Sequence, residues 1–271
     1  KPRPTRPLRS VFFLVISGCA ITSPHWDYVP ASTSAPIPFQ AWATSTANPV
    51  VLECADDTFI KRSSSAAPAH MASNSSTTTE TAACRIAAID TSDAGSVIEI
   101  ETDLAPTLGL GDSVAVNGVC LTATRFDASS FAADVSRETL SLTTLGDWVV
   151  GSRVNLEKAL LAGQALGGHY VTGHVDGVGE LVSRHDDARS VRMEFRVPPE
   201  LARYVARKGS ICIDGVSLTV NGARGDRFDV NLVPHTLEVT TLCSLQASSR
   251  VNLEVDIIAR YVERMMHPDL D

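Results

Sequence analysis

Aromatic residues and positive charge are both scarce in this sequence of 271 residues. Phe, Trp and Tyr make up 6% of it, and 23 Lys and Arg are outnumbered by 31 Asp and Glu, for a formal net charge of −8. Binding to the phosphate backbone of DNA or RNA requires a positive surface. The charge balance therefore argues against a nucleic-acid partner and favours a small molecule or another protein.

Long apolar runs and closely paired cysteines are also missing. A membrane-spanning helix needs about 20 apolar residues, and the nearest stretch, VFFLVISGCAIT at 11–22, is too short. No membrane association is therefore expected. This run follows Arg3, Arg6 and Arg9 and is either the start of a signal peptide or an accidental apolar segment. None of the six cysteines forms a CxxC pair, so the usual zinc pattern is absent and no metal site is expected.

The first eighty residues differ in composition from the rest. They are rich in Ser, Thr, Ala and Pro and end in the low-complexity tract ASNSSTTTETA at 72–82. No period of 2 or 3.6 residues is sustained there, which predicts an irregular extension over residues 1–83. The extension is either a targeting leader or sequence upstream of the true start. Free thiols favour a cytoplasmic location, whereas a genuine leader would favour an organelle.

From residue 84 onward the pattern predicts an all-β fold with short helices. Runs of Val, Ile and Thr bounded by Gly and Asp, such as VIEIE at 97–101, are typical of strands. Two segments carry helical signals. PELARYVARKG at 199–209 begins with proline and ends with glycine, and DIIARYVERMM at 256–266 has apolar residues at helical spacing.

An internal repeat organises this part of the chain. Shifted by 97 positions, residues 113–157 align with residues 210–254 without a gap, so that NGVCLT meets DGVSLT and SRVNLE meets SRVNLE. Two copies predict two similar domains, and several closely spaced strands in each indicate a small antiparallel barrel, since closure removes exposed sheet edges. The predicted boundaries are 84–166 for the first barrel, 167–256 for the second and 257–271 for a C-terminal helix.

The two copies differ where chemistry is possible. Cys120 aligns with Ser217, and Glu138 aligns with His235. The two predicted pockets thus have matching motifs around them, but they differ at side chains that can donate or accept a hydrogen bond or act as a nucleophile. A reaction between two identical molecules in two roles would need such a difference.

The segment GGHYVTGHVDGVGE at 167–180 is rich in glycine and contains His169 and His174. A dinucleotide-binding loop needs a following helix, and strand-like sequence follows here, so that interpretation is not favoured. The histidines are either metal ligands without a supporting cluster or ordinary packed or solvated side chains. His174 follows Gly173, which would let a ligand approach the backbone closely.

At these motifs the sequence resembles the riboflavin synthase family, whose members contain two lumazine-binding domains. The resemblance runs over about residues 85–266 and includes GDSVAVNGVCLT, ADVSRETL, LGGHYVTGHVDGVGE, KGSICIDGVSLTV and LVPHTLEVTTL in this order. It implies two six-stranded Greek-key β-barrels and a C-terminal helix that packs the chain into a homotrimer. Each site would lie between the first barrel of one subunit and the second barrel of its neighbour.

The resemblance also implies a reaction. Two molecules of 6,7-dimethyl-8-ribityllumazine would be dismutated to riboflavin and 5-amino-6-ribitylamino-pyrimidinedione in the last step of riboflavin biosynthesis. One lumazine would give a four-carbon unit to the other, without a metal or organic cofactor. Each barrel would hold one lumazine.

The resemblance further implies which residues form the site. The first lumazine would contact Cys120, Leu121, Thr122, Asp134, Val135, Ser136, Arg137, Glu138 and Thr139. The second would contact Gly173, His174, Val175, Lys208, Ser217, Leu218, Thr219, Asn231, Leu232, Val233, Pro234, His235 and Thr236. The candidate catalytic residues are Ser113, Cys120 and His174. His174 would take a proton from the acidic C7 methyl group, since imidazole accepts protons near neutral pH, and water, Ser113 or Cys120 would be the nucleophile.

One family motif is missing. Family members begin with Met-Phe-Thr-Gly-Ile-Val, a strand that lines the first pocket, and the corresponding place here holds SSTTTETAAC at 75–84. Either the start of the chain is wrongly assigned or the first barrel has lost part of its ligand site. The alternative function is a non-catalytic lumazine- or flavin-binding protein of the same fold, and a third possibility is a chain with neither activity.

Overall fold

A computed structural model describes residues 84–92 and 95–268, together with the backbone of two short strands, β1 (Phe12–Phe13) and β2 (Ile16–Ser17). The chain divides into one compact unit of residues 1–19 and 73–271 and a second unit of residues 20–72. The second unit lies outside the described residues, as does most of the segment expected to be irregular. Within that segment, β1 pairs antiparallel with Leu160 and Ala159, and β2 pairs parallel with Val216 and Ser217.

The first repeat forms an antiparallel barrel. Neighbouring strands follow the order β3-β4-β7-β6-β5-β9, and β8, which continues into β9 after Asn155, pairs back onto β3. Consecutive β4 and β5 are therefore not neighbours, which is a Greek-key connection. The strands are β3 (Cys84–Ser92), β4 (Gly95–Glu101), β5 (Ser113–Val116), β6 (Val119–Phe126), β7 (Ser130–Val135), β8 (Arg153–Val154) and β9 (Leu156–Leu160).

The second repeat forms a closed barrel with the same strand order. The sheet runs β12-β15-β10-β11-β14-β13, and β12 also pairs with β13, so that six strands close on themselves. The all-β prediction of two six-stranded Greek-key barrels is confirmed. The strands are β10 (Gly177–Asp187), β11 (Ser190–Arg196), β12 (Ser210–Ile213), β13 (Val216–Arg224), β14 (Arg227–Leu232) and β15 (Arg250–Val255).

Each barrel has its own apolar core because alternate residues of every strand point inward. In the first barrel Ile86, Ile100 and Phe131 are buried. In the second barrel Phe195 and Phe228, on paired strands, stack with ring centroids 5.6 Å apart. These inward faces fix the register, since a slip of one residue would turn the apolar side chains outward. The opposite faces of the same strands remain available for a site.

Short helices connect the strands. Repeat-related helices α1 (Arg137–Leu142) and α2 (Pro234–Val239) follow β7 and β14, and α3 (Ile257–Met266) follows β15 as expected. The helix expected over 200–208 is instead a single 3₁₀ turn, Ala202–Tyr204. Leu201 and Val205 on either side of it are buried in the core of the second barrel.

The two barrels meet at matching β-hairpin turns. Asn117-Gly118 and Asp214-Gly215 all have positive φ angles, between 43° and 84°, as the Asn-Gly and Asp-Gly sequences favour. A Cβ on Gly118 would lie 2.7 Å from the Gly215 nitrogen, and one on Gly215 would lie 2.9 Å from the Gly118 nitrogen. Only glycine therefore allows the two turns to touch.

Two buried asparagines repeat the same hydrogen bonds across this junction. The Asn155 side chain donates to the Asp214 carbonyl at 2.8 Å and accepts from the Thr241 amide at 2.8 Å. Its repeat partner Asn252 donates to the Asn117 carbonyl at 2.9 Å and accepts from the Thr144 amide at 2.8 Å. The repeat seen in the sequence is thus a pseudo-two-fold relation in the structure.

Candidate active site

The outward face of the β5–β6 hairpin carries three polar side chains of the first barrel. Ser113 pairs with Thr122 and Ala115 pairs with Cys120 in this hairpin, so alternation puts Ser113, Cys120 and Thr122 on one face. A hydrogen bond joins Ser113 to the Cys120 thiol, but burial has the larger effect and raises the thiol pKa. Cys120 is therefore a neutral thiol at pH 7.

Gly173 packs directly against Cys120. The Cys120 amide donates to the Gly173 carbonyl at 2.8 Å. A Cβ on Gly173 would lie 2.8 Å from the Cβ of Cys120, and the φ angle of Gly173 is +76°. A larger side chain at this position would separate the two segments, so glycine is required for this contact.

Residues 173–175 join the first barrel, although sequence analysis assigned them to the pocket of the second. Val175 packs against the core of the first barrel, and the side chain of His174 between them is exposed. The reason is the pseudo-two-fold arrangement, which directs the segment before β10 across the junction. The three candidate catalytic residues therefore occur on adjoining segments, with Ser113 and Cys120 on the hairpin and His174 beside the Gly173 contact.

Glu254 supports this contact and was missed by sequence reasoning. It lies buried on β15 and accepts hydrogen bonds from the amide and hydroxyl of Thr172 and from the amide of Gly173, at 2.7, 2.8 and 2.9 Å. Burial raises its pKa to about 7, and the bonds from Thr172 and Gly173 oppose that rise. The available signal was the repeated SRVNLE motif, which ends in a glutamate in both copies. A charged residue on a strand is expected to be exposed, but both glutamates are buried.

The second barrel has a matching outward face on its β12–β13 hairpin. Ser210 pairs with Thr219, and Cys212 pairs with Ser217. The Ser217 hydroxyl lies 2.7 Å from Nδ1 of His169. Lys208, just before this hairpin, is exposed and has a φ angle of +67°. Ser217 and Thr219 thus occupy the places of Cys120 and Thr122, with different neighbours.

Several residues expected to contact ligand have side chains that point into a core. They are Leu121 and Val135 in the first barrel and Leu218, Leu232 and Thr236 in the second, with exposures from 0% to 7%. Period-2 alternation places the four strand residues opposite the polar face, and Thr236 is buried on α2, so these side chains do not reach a ligand on that face. A contact with any of them would involve the backbone.

The remaining expected residues lie around the starts of α1 and α2. Ser136 caps α1 by accepting from the Thr139 amide at 3.1 Å, while Val233 precedes α2 without a side-chain cap. Pro234 is in the first turn of α2. The exposed side chains in these segments are those of Asp134, Ser136, Arg137, Glu138, Asn231 and His235.

Neither a metal cluster nor a membrane-spanning helix is found in the described part of the chain. No group of three or more His, Cys, Asp and Glu residues there could hold a metal ion. Across residues 84–92 and 95–268, no helix has the length and apolar character to cross a membrane. No disulfide joins the four cysteines within those ranges, Cys84, Cys120, Cys212 and Cys243.

Comparison with known proteins identifies the family to which this fold belongs. The Lumazine binding domain profile matches residues 78–159 and 172–256, which is one match for each barrel. Solved structures of LumP have the same architecture. LumP complexed with riboflavin is 27% identical with a TM-score of 0.60, and the alignment covers 65% of this chain and 96% of that chain. The chain belongs to the lumazine-binding domain family, as a tandem of two copies.

Within that family the sequence groups with the riboflavin synthases, as the motifs predicted. Riboflavin synthase of Mycobacterium bovis is 51% identical over 162 residues, which cover 58% of this chain and 81% of the relative. Riboflavin synthase of Brucella abortus is 45% identical over 177 residues, which cover 63% and 88%. That of Photobacterium phosphoreum is 46% identical over 160 residues, which cover 59% and 73%. The family prediction is confirmed.

Proposed function

We propose that the chain is a transferase with riboflavin synthase activity, which acts on two molecules of 6,7-dimethyl-8-ribityllumazine. One lumazine gives up a four-carbon unit and becomes 5-amino-6-ribitylamino-pyrimidinedione, and the other gains that unit and becomes riboflavin. The observation that carries this proposal is the duplicated barrel. Its two outward faces match in geometry but differ in chemistry, with Cys120 on one and Ser217 on the other.

The first barrel is proposed to hold one lumazine against Ser113, Cys120 and Thr122. His174, exposed beside Gly173, would take the proton from the C7 methyl group of a bound ring. Because burial raises the pKa of the Cys120 thiol, this residue is proposed as a contact for the ligand rather than as a thiolate nucleophile. Water or Ser113 would then add to the acceptor ring.

The second lumazine is proposed to lie against Ser217 and Thr219 of a second barrel, with Lys208 at the edge. Holding two planar rings face to face replaces an encounter between two free molecules. Such orientation lowers the reaction barrier by up to about 7–11 kcal/mol in favourable cases. This supports a mechanism in which no single side chain carries most of the rate.

Riboflavin fluorescence tests the proposal directly. Purified protein is incubated with 6,7-dimethyl-8-ribityllumazine, and riboflavin and the pyrimidinedione are quantified by chromatography. The expected result is multiple turnovers with one riboflavin formed for every two lumazines consumed. Absence of turnover by folded protein would overturn the proposed activity.

A homotrimer is proposed as the assembly, with α3 at the contact. Its polar side chains face the second barrel, where Glu263 contacts Arg203 at 2.9 Å and Arg260 pairs with Asp176. The other face is apolar and exposed, and consists of Ile258, Tyr261, Val262, Met265 and Met266. Exposed apolar patches of this kind mark interaction surfaces. Light scattering coupled to gel filtration should give three times the chain mass, and a monomer would exclude this assembly.

A cytoplasmic location is proposed, with an organelle as the alternative if the N-terminal extension is a leader. A buried cysteine thiol without a disulfide, such as Cys212, supports a reducing compartment. Fractionation, followed by mass spectrometry of the N-terminus of the mature protein, tests both. An N-terminus cleaved near residue 80 in an organelle fraction would replace the first proposal by the second.

The second candidate function is lumazine or flavin binding without turnover. It is favoured by the solved relatives, since LumP structures contain 6,7-dimethyl-8-(1'-D-ribityl) lumazine, riboflavin or flavin mononucleotide. Equilibrium dialysis separates the two functions. Stoichiometric binding of lumazine with no riboflavin formed would support this second candidate.

A further inference from the structure

The carboxylate of Glu254 is fully engaged by a single short segment. One oxygen accepts from the Thr172 amide at 2.7 Å and the Thr172 hydroxyl at 2.8 Å, and the other accepts from the Gly173 amide at 2.9 Å. Two consecutive backbone amides are thereby fixed in direction. An ionised carboxylate suits this task because it accepts several bonds and donates none.

The peptide unit on the other side of Gly173 is fixed by the first barrel. The Gly173 carbonyl accepts from the Cys120 amide at 2.8 Å. Gly173 is therefore held from both sides, by Glu254 of the second barrel through its N–H and by Cys120 of the first barrel through its C=O. His174 is the next residue, so its Cα position is set by these two bonds.

We propose that Glu254 is a positioning residue of the proposed active site, which orients the backbone of His174 relative to Cys120. This inference rests on the proposed function, because it assigns His174 the proton transfer. Glu254 does not touch the reacting atoms. It acts through the Thr172–Gly173 backbone, and removing one of its acceptor oxygens should misplace the imidazole.

The charge of Glu254 should then determine how firmly the Thr172–Gly173 backbone is held. Burial raises its pKa to about 7, so the carboxylate is ionised above this pH and takes up a proton below it. A protonated carboxyl group has a hydroxyl that donates, and one of the three donors loses its acceptor. The facing titratable groups are Asp176 on the same segment, Cys120 on β6, Cys212 on β12 with Asp214 and Glu157 around it, and Arg260 on α3, which pairs with Asp176.

The decisive variant is Glu254→Gln, which keeps size but places an NH₂ group against one of the three donors. At pH 8.5 we expect kcat to fall about 10–100-fold, the range observed when supporting contacts of a site are lost, with KM changed less than threefold. As pH falls to 6, wild type loses the carboxylate and the ratio of the two rates should approach one.

Two further variants complete the test, one that removes a donor to Glu254 and one that serves as a control. Thr172→Val removes one of the three donors and should lower kcat about 3–10-fold, with the pH dependence retained. Glu180→Gln removes an exposed carboxylate paired with Arg196 and should leave kcat within twofold of wild type. A ratio for Glu254→Gln that is independent of pH, or a loss confined to KM, would overturn the proposal.

Hydrogen exchange gives a readout that does not need turnover. At pH 8.5, peptides covering 168–176 should exchange faster in Glu254→Gln than in wild type, and the difference should shrink at pH 6. If wild-type protein makes no riboflavin but exchange changes in this way, the proposed function fails while the positioning of the segment stands. Unchanged exchange in Glu254→Gln would overturn the positioning role itself.

Discussion

Nδ1 of His169 lies 2.7 Å from the hydroxyl oxygen of Ser217, the residue that takes the place of Cys120 in the second barrel. Burial lowers the pKa of His169, so its imidazole is neutral at pH 7 and forms a hydrogen bond with the hydroxyl. The corresponding position in the first barrel has a thiol packed against glycine instead. The two faces thus share a frame but differ at the group presented to a ligand.

The His169–Ser217 bond should show energetic coupling. We expect Ser217→Ala and His169→Phe each to lower the free energy of unfolding by about 1–3 kcal/mol, since each removes one partner of a part-buried hydrogen bond. The double variant should cost about 1 kcal/mol less than the sum. Urea denaturation at pH 7.5 measures the free energy of unfolding of wild type, both single variants and the double variant. Strictly additive losses would contradict the coupling.

Replacing Asp214 by asparagine should stabilise the protein at alkaline pH. Burial raises the Asp214 pKa from 3.8 to about 7, so the folded state favours the protonated form. Stability from this group is present below pH 4 and is lost as pH rises to 7. The repeat-related Asn117 already accepts the matching bond with an amide oxygen, from the Asn155 amide at 2.7 Å, where Asp214 accepts from the Asn252 amide at 2.8 Å.

Denaturation at several pH values tests this. Asp214→Asn should be more stable than wild type by about 2–4 kcal/mol at pH 8, and the gain should disappear near pH 4. Asp186→Asn, at an exposed position, is the control and should show no such trend. A loss of stability at pH 8 in Asp214→Asn would show that the ionised carboxylate is needed at the junction.

Adding a methyl group at Gly173 should damage the site. Gly173→Ala brings a Cβ to 2.8 Å from Cys120 at a φ angle of +76°, so we expect riboflavin formation to fall by at least about tenfold, as misplacement near 1 Å typically does. Gly163→Ala provides the control, because its φ angle is +90° but nothing lies within 4 Å of the added Cβ. Equal loss in both variants would assign the effect to backbone strain alone.

Removing the Cys120 thiol should slow the reaction rather than abolish it. Since the thiol is neutral at pH 7, we expect the single-turnover rate of Cys120→Ala to remain within about tenfold of wild type. Alkylation of Cys120 by iodoacetamide should accelerate with rising pH. A rate reduced to the uncatalysed level in a folded, lumazine-binding Cys120→Ala protein would restore the thiol as the nucleophile.

The architecture could be predicted because the alternation of apolar and polar residues and the internal repeat of the sequence determine it. Period-2 alternation identified the strands, and the NGV and DGV turns marked the two hairpins that later meet at the junction. The same alternation also explains why Leu121 and Leu218 face the cores.

The partners across the junction could not be predicted from local pattern. Gly173 contacts Cys120 although 53 positions of sequence separate them, and only the two-fold packing of the barrels brings them together. Glu254 was missed because a charged residue on a strand is usually exposed. Its burial follows from two backbone amides of another segment that need an acceptor.

The backbone contact between Gly118 and Gly215 has a consequence for the molecule as a whole. Each turn is the docking surface of the other, so a side chain gained at one would displace both, together with the Asn155 and Asn252 amides bonded to those turns. The two barrels are therefore packed against each other through these two turns. A disturbance there reaches both hairpins at once, because β5–β6 and β12–β13 are the strands that these turns join.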